Sequence, residues 1–379
     1  MASRRDASIT RLLNEPELEL ERDSTILQRS LSLNSIISTT SSFSRRAQNA
    51  RSRSNLQEIN EIGSGLQGAV FEVVGQPFVI KKEYPGNETL RSNLLREYRS
   101  HSDVSAAFER YQSATHNLVH VPKPHRFIST ADNDAFWDAV FPRIPQAYRT
   151  RGNAVTMDRI LPLPKVVRKA LITYFCSREW DLEIDEIETI LNTPSNKHCL
   201  ARVYLGKATG SIDRDNPAPL RNFPLHRGFM KELGIDGLML ATEMGKAYAT
   251  MHWGAAINGD DVEFVLGTSA SEVPRALGGP PDLQHRAVGL YLLDFGQCES
   301  VDLNQDRDVV YQAFKGAMVT GDNQSFIPHA STSPALLAAF KKGYIEAGNV
   351  ILRDKRLSDK FSMEDFMQEY EEYAEELVY

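Results

Sequence analysis

From Asn55 the chain alternates between apolar and polar positions. The stretch LQEINEIGSGLQGAVFEVVGQPFVIKKEY carries this period of two, punctuated by glycines and a Gly-Gln-Pro turn, and predicts three strands in a meander. The period then changes. ETLRSNLLREYRSHSDVSAAFERYQ has helical spacing, with Leu94, Leu95, Tyr98 and Phe108 as a candidate buried face. VHVPKPHRFIST and DAVFPRI read as short strands broken by prolines, and TMDRILPLP as a strand running into a proline-rich connector.

The second half is mostly helical. LPKVVRKALITYFCSREW and DEIETILNT read as helices, and DGLMLATEMGKAYATMHW gives the clearest helical period, with Leu238, Ala241, Gly245, Tyr248 and His252 on one face. DDVEFVLG and VGLYLLDFG read as strands, joined by a Gly/Pro-rich loop near 267–287. FSMEDFMQEYEEYAEELVY closes the pattern as a helix. There Ser362 and Asp365 have capping spacing, and Phe366, Tyr370, Tyr373 and Leu377 form an apolar stripe that suits core packing. The expected class is α+β, with β-rich structure over 56–157 and mostly helical structure over 158–379.

Residues 1–55 break the pattern. SLSLNSIISTTSSFSRRAQNARSRS is rich in Ser, Arg and Asn and poor in aromatics, which predicts a disordered tail, either a solvated leader or a phosphorylated arm. A net charge of −7 leaves no basic footprint for nucleic acid. No apolar run reaches the length that spans a bilayer, and the N-terminus lacks the apolar core of a secretory signal. Cys176, Cys199 and Cys298 are sparse, odd in number and far apart. They predict a reducing compartment, cytoplasm or nucleus, without disulfides or structural zinc.

Four features carry candidate chemistry. Gly63, Gly65 and Gly68, followed by Val70, sit between two strands, where glycines let backbone N–H groups approach a phosphate. The bland alternative is a glycine-rich hairpin. A dinucleotide fingerprint is excluded because a strand follows instead of a helix. In FVIKK, alternation puts Val79 and Lys81 on one face. Lys81 then points at a phosphate under the glycine loop, with Val70 and Val79 roofing a flat ring; otherwise both lysines are solvated edge residues. Glu97, on the next helix, can hold that lysine, with Glu88 as a rival. Asp294 ends a strand before Phe295-Gly296, a placement that suits a Mg²⁺ ligand.

The order G-x-G-x-x-G-x-V, V-I-K, helix Glu, a hinge-like MDRI, a His at a helix end and D-F-G resembles the protein-kinase-like fold. The short path from DFGQCESVD to NQDRDVVYQAF, with no A-P-E, is more similar to the aminoglycoside/choline-kinase branch. The chain also resembles an uncharacterised fungal family of kinase-like proteins. The resemblance covers roughly 56–330. It implies a two-lobed fold, a β-rich N-lobe over 56–157 and a helical C-lobe over 158–379, binding ATP and Mg²⁺. Gly63, Gly65, Gly68, Val70, Val79, Lys81, Glu97 and Met157 would hold the nucleotide, and Asp294 and Asp261 the metal.

The resemblance also frames MHWGAAINGDDVEFVLG. Two residues after His252, where active relatives place the Asp that orients the attacking hydroxyl, stands Gly254. The pair Asp260-Asp261 best matches the metal-binding Asn, Asn258 is the weaker candidate, and Asp260 or Asp261 is a possible substitute base. His252 is expected to pack and hydrogen-bond backbone, and Trp253 to block the substrate side. Asp306 or Asp308 is expected to cap a helix or brace this loop. The reading that follows is a pseudokinase-type regulator or scaffold that binds ATP and Mg²⁺ with weak or no transfer, acting through a protein partner. An active small-molecule or protein phosphotransferase and a nucleotide-free scaffold are the alternatives.

Overall fold

The computed structural model describes residues 11–33, 35–39, 58–65, 67–84, 88–131, 134–216, 218–271 and 284–377. Its first strands, β1 (Arg11–Asn14) and β2 (Ser35–Thr39), run parallel and are joined through helices Glu15–Leu18 and Asp23–Ser30. The disordered tail expected over 1–55 is therefore corrected for residues 11–33 and 35–39. Leu13, Leu18, Ile26, Leu27, Leu31 and Ile37 are all buried, so this polar-looking stretch contributes a compact apolar set to the main core. The rest of the expected tail lies outside the described residues.

The predicted meander is present as β3 (Ile59–Ser64), β4 (Gly68–Val73) and β5 (Phe78–Glu83). After helix Glu88–Thr115 come β6 (Val119–His120), β7 (Pro124–Ile128) and β8 (Ala154–Asp158). One sheet has five strands in the order β3-β4-β5-β8-β7. Its outer face buries Phe71, Ile80 and Ala154 against Trp137 and Val140. Those two residues lie on helix Asp134–Val140, whose end overlaps DAVFPRI at 138–144, where a strand was expected. Trp137 and Val140 are three apart, so both reach the sheet from one helical face.

The second sheet adds β9 (Ala201–Tyr204), β10 (Phe223–His226), β11 (Glu263–Ser271) and β12 (Gln284–Leu293). Its order is β1-β2-β12-β11-β9-β10, with β6 pairing β12. The β11–β12 ladder runs from Glu263↔Leu293 to Ser271↔His285, so the strands extend into the loop expected near 267–287; residues 272–283 lie outside the described ones. The result is an α+β protein with two sheets. The connector after β8 ties the sheets together, because Leu161 and Thr268 exchange backbone hydrogen bonds of 2.8 Å.

Helices Gly237–Ala249, Arg307–Met318, Pro334–Lys355 and Met363–Leu377 pack below the second sheet. The predicted face of the first holds at Ala241, Gly245, Tyr248 and His252, all buried, but Leu238 is 51% exposed. Asp365 N–H donates to Ser362 Oγ at 3.2 Å, as the capping spacing predicts. Asp306 stands at an N-cap but makes no side-chain capping bond. The three cysteines are free and buried. Among the described residues no helix is long and apolar enough to cross a membrane.

Candidate functional site

β5 is a central strand, and both of its lysines are buried. Directly paired residues share a face, so Val70↔Lys81↔Val155 and Glu72↔Val79↔Met157 form two parallel rows on the inner side of the sheet. Val70, Val79, Lys81 and Met157 therefore share a surface; alternation predicted this for Val79 and Lys81. Lys82 points the other way and sits over the Trp137 ring at 5.6 Å.

The long helix explains the partner of Lys81. Its buried stripe runs through Leu94, Glu97, His101, Val104, Phe108 and Tyr111, spaced by three or four. The apolar pattern is interrupted at Glu97 and His101, one turn apart. Lys81 Nζ donates to Glu97 Oε1 at 2.6 Å and stands 3.8 Å from Asp294 Oδ1. Burial alone would lower the Lys81 pKa, but the Glu97 and Asp294 carboxylates outweigh it and raise the value, keeping the ammonium charged. Burial pushes the Glu97 carboxyl up, against the opposing pull of Lys81. His101 contacts the Pro122 carbonyl at 2.5 Å and stacks on Phe295 at 4.7 Å, which seats the residue after Asp294 against the helix.

Asp294 and Asp261 leave the same end of the β11–β12 ladder, whose last pair is Glu263↔Leu293. Both have left-handed backbones, φ +64° and +56°, and Ala256 repeats this at +58°. Such conformations cost free energy in non-glycine residues and concentrate at functional sites. The Asp261 carboxyl is raised by burial first, is pulled down by the Asp322 N–H, and is raised again by Asp294, Asp322 and Asp260. Glu263 is pushed up to about 7 by burial, although it is ion-paired with Arg202 of β9. Arg202 also lies 3.9 Å from Asp322. The arrangement is a carboxylate-rich centre bridged by Lys81 on one side and Arg202 on the other. Among the described residues no group of three or more His, Cys, Asp or Glu side chains is arranged to hold a metal; Asp294 and Asp261 are a two-carboxylate set.

The loop before β11 departs from expectation. Ala107 and Tyr111 of the long helix fill the space beside Gly254, where a Cβ would stand 3.2 Å from the first and 3.3 Å from the second. The Gly254 carbonyl accepts from Lys355 Nζ at 2.6 Å. Position 254 therefore faces the packed helix. Trp253 is fully buried and its Nε1 donates to Tyr344 Oη at 2.9 Å, so it does not cover the substrate side. The Tyr344 hydroxyl is then free to donate to His252 Nδ1 at 2.7 Å, and His252 Nε2 donates to the Asn258 carbonyl at 3.1 Å. This fixes a neutral imidazole, with its pKa lowered to about 3 by burial. His252 is structural, as expected.

The Asn258 side-chain oxygen accepts from the N–H groups of Asp260, at 3.3 Å, and Glu299, at 2.9 Å, which occupies it as a brace. Asp260 accepts from Thr320 Oγ1 at 2.8 Å and lines a groove of about 370 Å³ with Glu299, Asp302 and Val309.

At the hinge-like connector, the N–H groups of Asp158, Arg159 and Leu161 already donate to Lys123, Pro77 and Thr268 carbonyls. Arg159 is ion-paired with buried Glu72 beside the Met157 row. The site also includes residues that motif reading passes over: His101, Arg202, Glu263, Asp322 and Gln67. The first three are marked by a charged or ionisable residue interrupting an apolar period; Asp322 and Gln67 carry no such signal.

No family model matches the chain, and no curated protein matches it.

Proposed function

We propose that the chain is a two-lobed, protein-kinase-like nucleotide binder with weak or no phosphotransfer, acting through a protein partner. The five-stranded sheet and long helix would form the smaller lobe, and the second sheet with the remaining helices the larger. The observation that carries this reading is Lys81 held between Glu97, at 2.6 Å, and Asp294, at 3.8 Å, on the sheet face shared with Val70, Val79 and Met157.

The residues fit ATP and Mg²⁺ in part. Two carboxylates are what Mg²⁺ takes when phosphates supply further oxygens, and Asp294 and Asp261 provide them. Mg²⁺ would neutralise phosphate charge there. Val70, Val79 and Met157 would flank the base, and Ile160 is left to offer the connector's N–H. The weak-transfer part rests on the loop. No carboxylate occupies 254–258, and Asp261 is engaged by the Asp322 N–H. Loss of a general base typically costs ~10²–10⁴-fold in rate. Positioning and charge neutralisation, which dominate phosphoryl transfer, would remain.

Calorimetric titration of ATP, with and without Mg²⁺, tests the reading. Metal-dependent binding that disappears in Asp294→Asn is expected. Absence of binding at millimolar ATP would refute it and leave a nucleotide-free scaffold. The active-phosphotransferase alternative has one favourable observation, Asp260 at the wall of the 370 Å³ groove. It requires ATP turnover that falls in Asp260→Asn.

A further inference from the structure

The glycine hairpin between β3 and β4 is tied to the opposite side of the site at two points. Gln67 is 5% exposed, and its Nε2 donates to the Gly296 carbonyl at 2.8 Å. A Cβ on Gly296 would stand 2.3 Å from that Nε2, so the amide packs directly on the turn that follows Asp294. Gln67 Oε1 is buried with no hydrogen-bond partner. At the hairpin's other shoulder, Arg221 Nη2 donates to Ser64 Oγ at 2.9 Å. Arg221 belongs to the segment between β9 and β10, so the hairpin is held from the second sheet as well. The turn is closed internally by Gly65 N–H donating to the Gly68 carbonyl at 2.9 Å.

A glycine hairpin binds phosphates by presenting backbone N–H groups across a gap to the lysine and the metal-binding carboxylate. Here a side-chain amide of the hairpin spans to the Asp294–Gly296 turn. Resting on the nucleotide-site reading above, we propose that Gln67 is a self-occluding latch: its carboxamide closes the phosphate gap, and a nucleotide triphosphate enters only when Gln67 leaves Gly296 and the hairpin lifts from Arg221. The unpartnered Oε1 fits this role, because an amide half-satisfied in the closed position is released at less cost than one bonded at both ends. Arg96 Nη2 also approaches the Gly296 carbonyl, at 3.4 Å, so that oxygen retains a donor when Gln67 departs.

The test uses the full chain, its Gln67→Ala variant and Arg221→Ala as a second route to a freed hairpin. Amide hydrogen exchange of residues 63–70 without nucleotide reads the latch, and calorimetric titration with ATP and Mg²⁺ reads its effect. If the closed state holds about nine molecules in ten, its removal tightens apparent affinity about tenfold. Faster exchange and tighter ATP binding in Gln67→Ala, with a smaller change of the same sign in Arg221→Ala, support the latch. Equal exchange and equal affinity in wild type and Gln67→Ala overturn it and leave the nucleotide site standing. Weaker ATP binding in Gln67→Ala also overturns it, since Gln67 would then be a nucleotide contact. Faster exchange with no ATP bound by any variant overturns the latch together with the nucleotide reading.

Discussion

Lys81→Met is expected to lower the free energy of unfolding by about 3–5 kcal/mol, the usual cost of removing one partner from a buried ion pair. Lys81 and Glu97 side chains are 11% and 6% exposed, so water cannot replace the lost ammonium. Glu97 then keeps burial and the nearby Asp294 charge against it, and both raise its pKa. It can take up a proton, and that gives the variant a pH signature. A group whose folded pKa lies above its unfolded value stabilises fully below the unfolded pKa and loses that contribution as pH rises through the folded one. Lys81→Met should therefore be less stable at pH 8 than at pH 5 relative to wild type. Adding Glu97→Gln should recover most of the loss, because it removes the stranded charge and keeps the shape. Urea denaturation of the four proteins of this cycle at both pH values measures it. A single-variant cost under about 1 kcal/mol, typical of an exposed pair, would mean the two side chains do not form a buried bridge.

The parts of the site that are legible in sequence are those where local pattern and chemistry coincide. Strand alternation places Val79 and Lys81 on one face, and the pairings of β4, β5 and β8 keep them there. Glu97 stands out because a helix follows the lysine strand, and Asp294 because a strand of apolar residues ends on it. The described part of the N-terminal stretch escapes a reading by composition, which passes over its periodicity. Its Ser-rich composition masks Leu13, Leu18, Ile26, Leu27, Leu31 and Ile37, which long-range contacts bury, among them the pairing of β2 with β12 and the packing of helix Asp23–Ser30 on helix Lys165–Leu171. The loop 254–258 misleads for a different reason. Spacing from His252 assigns Gly254 a role by count, but the helix before it runs on through a widened turn, Thr250–Ala255, which rotates residue 254 toward Ala107 and Tyr111. Arg202 shows in the sequence only as a charge within an apolar strand, and Gln67 not at all, because their partners Glu263 and Gly296 are 61 and 229 positions away. A distant contact itself leaves no local trace.

Glu263→Gln is expected to make the protein more acid-sensitive, losing about 2 kcal/mol more than wild type between pH 7 and pH 5. The loss comes from buried histidines. Burial lowers His252 to about 3, and His101 and His198 to about 4, from an ordinary value near 6.5. Each is neutral when folded and takes a proton when unfolded, so stability is complete above about pH 6.5 and falls as pH drops, by about 1.4 kcal/mol per unit and per group. At pH 5 each of the three accounts for about 2 kcal/mol. Glu263 acts in the opposite sense. Burial raises it to about 7, so the folded state takes up a proton that the unfolded chain takes up only near its ordinary value of 4.5. That returns about 2 kcal/mol over the same range. Removing Glu263 uncovers the full histidine cost. His101→Gln, which can still donate to the Pro122 carbonyl, should remove about 2 kcal/mol of it. Thermal and urea unfolding at pH 7 and pH 5 of wild type and the two single variants provide the comparison. Identical acid losses in all three would show that neither the histidines nor Glu263 titrate differently in the folded protein. Against a typical domain stability of about 5–15 kcal/mol, the carboxylate that strains the site at neutral pH is then what steadies the fold in mild acid.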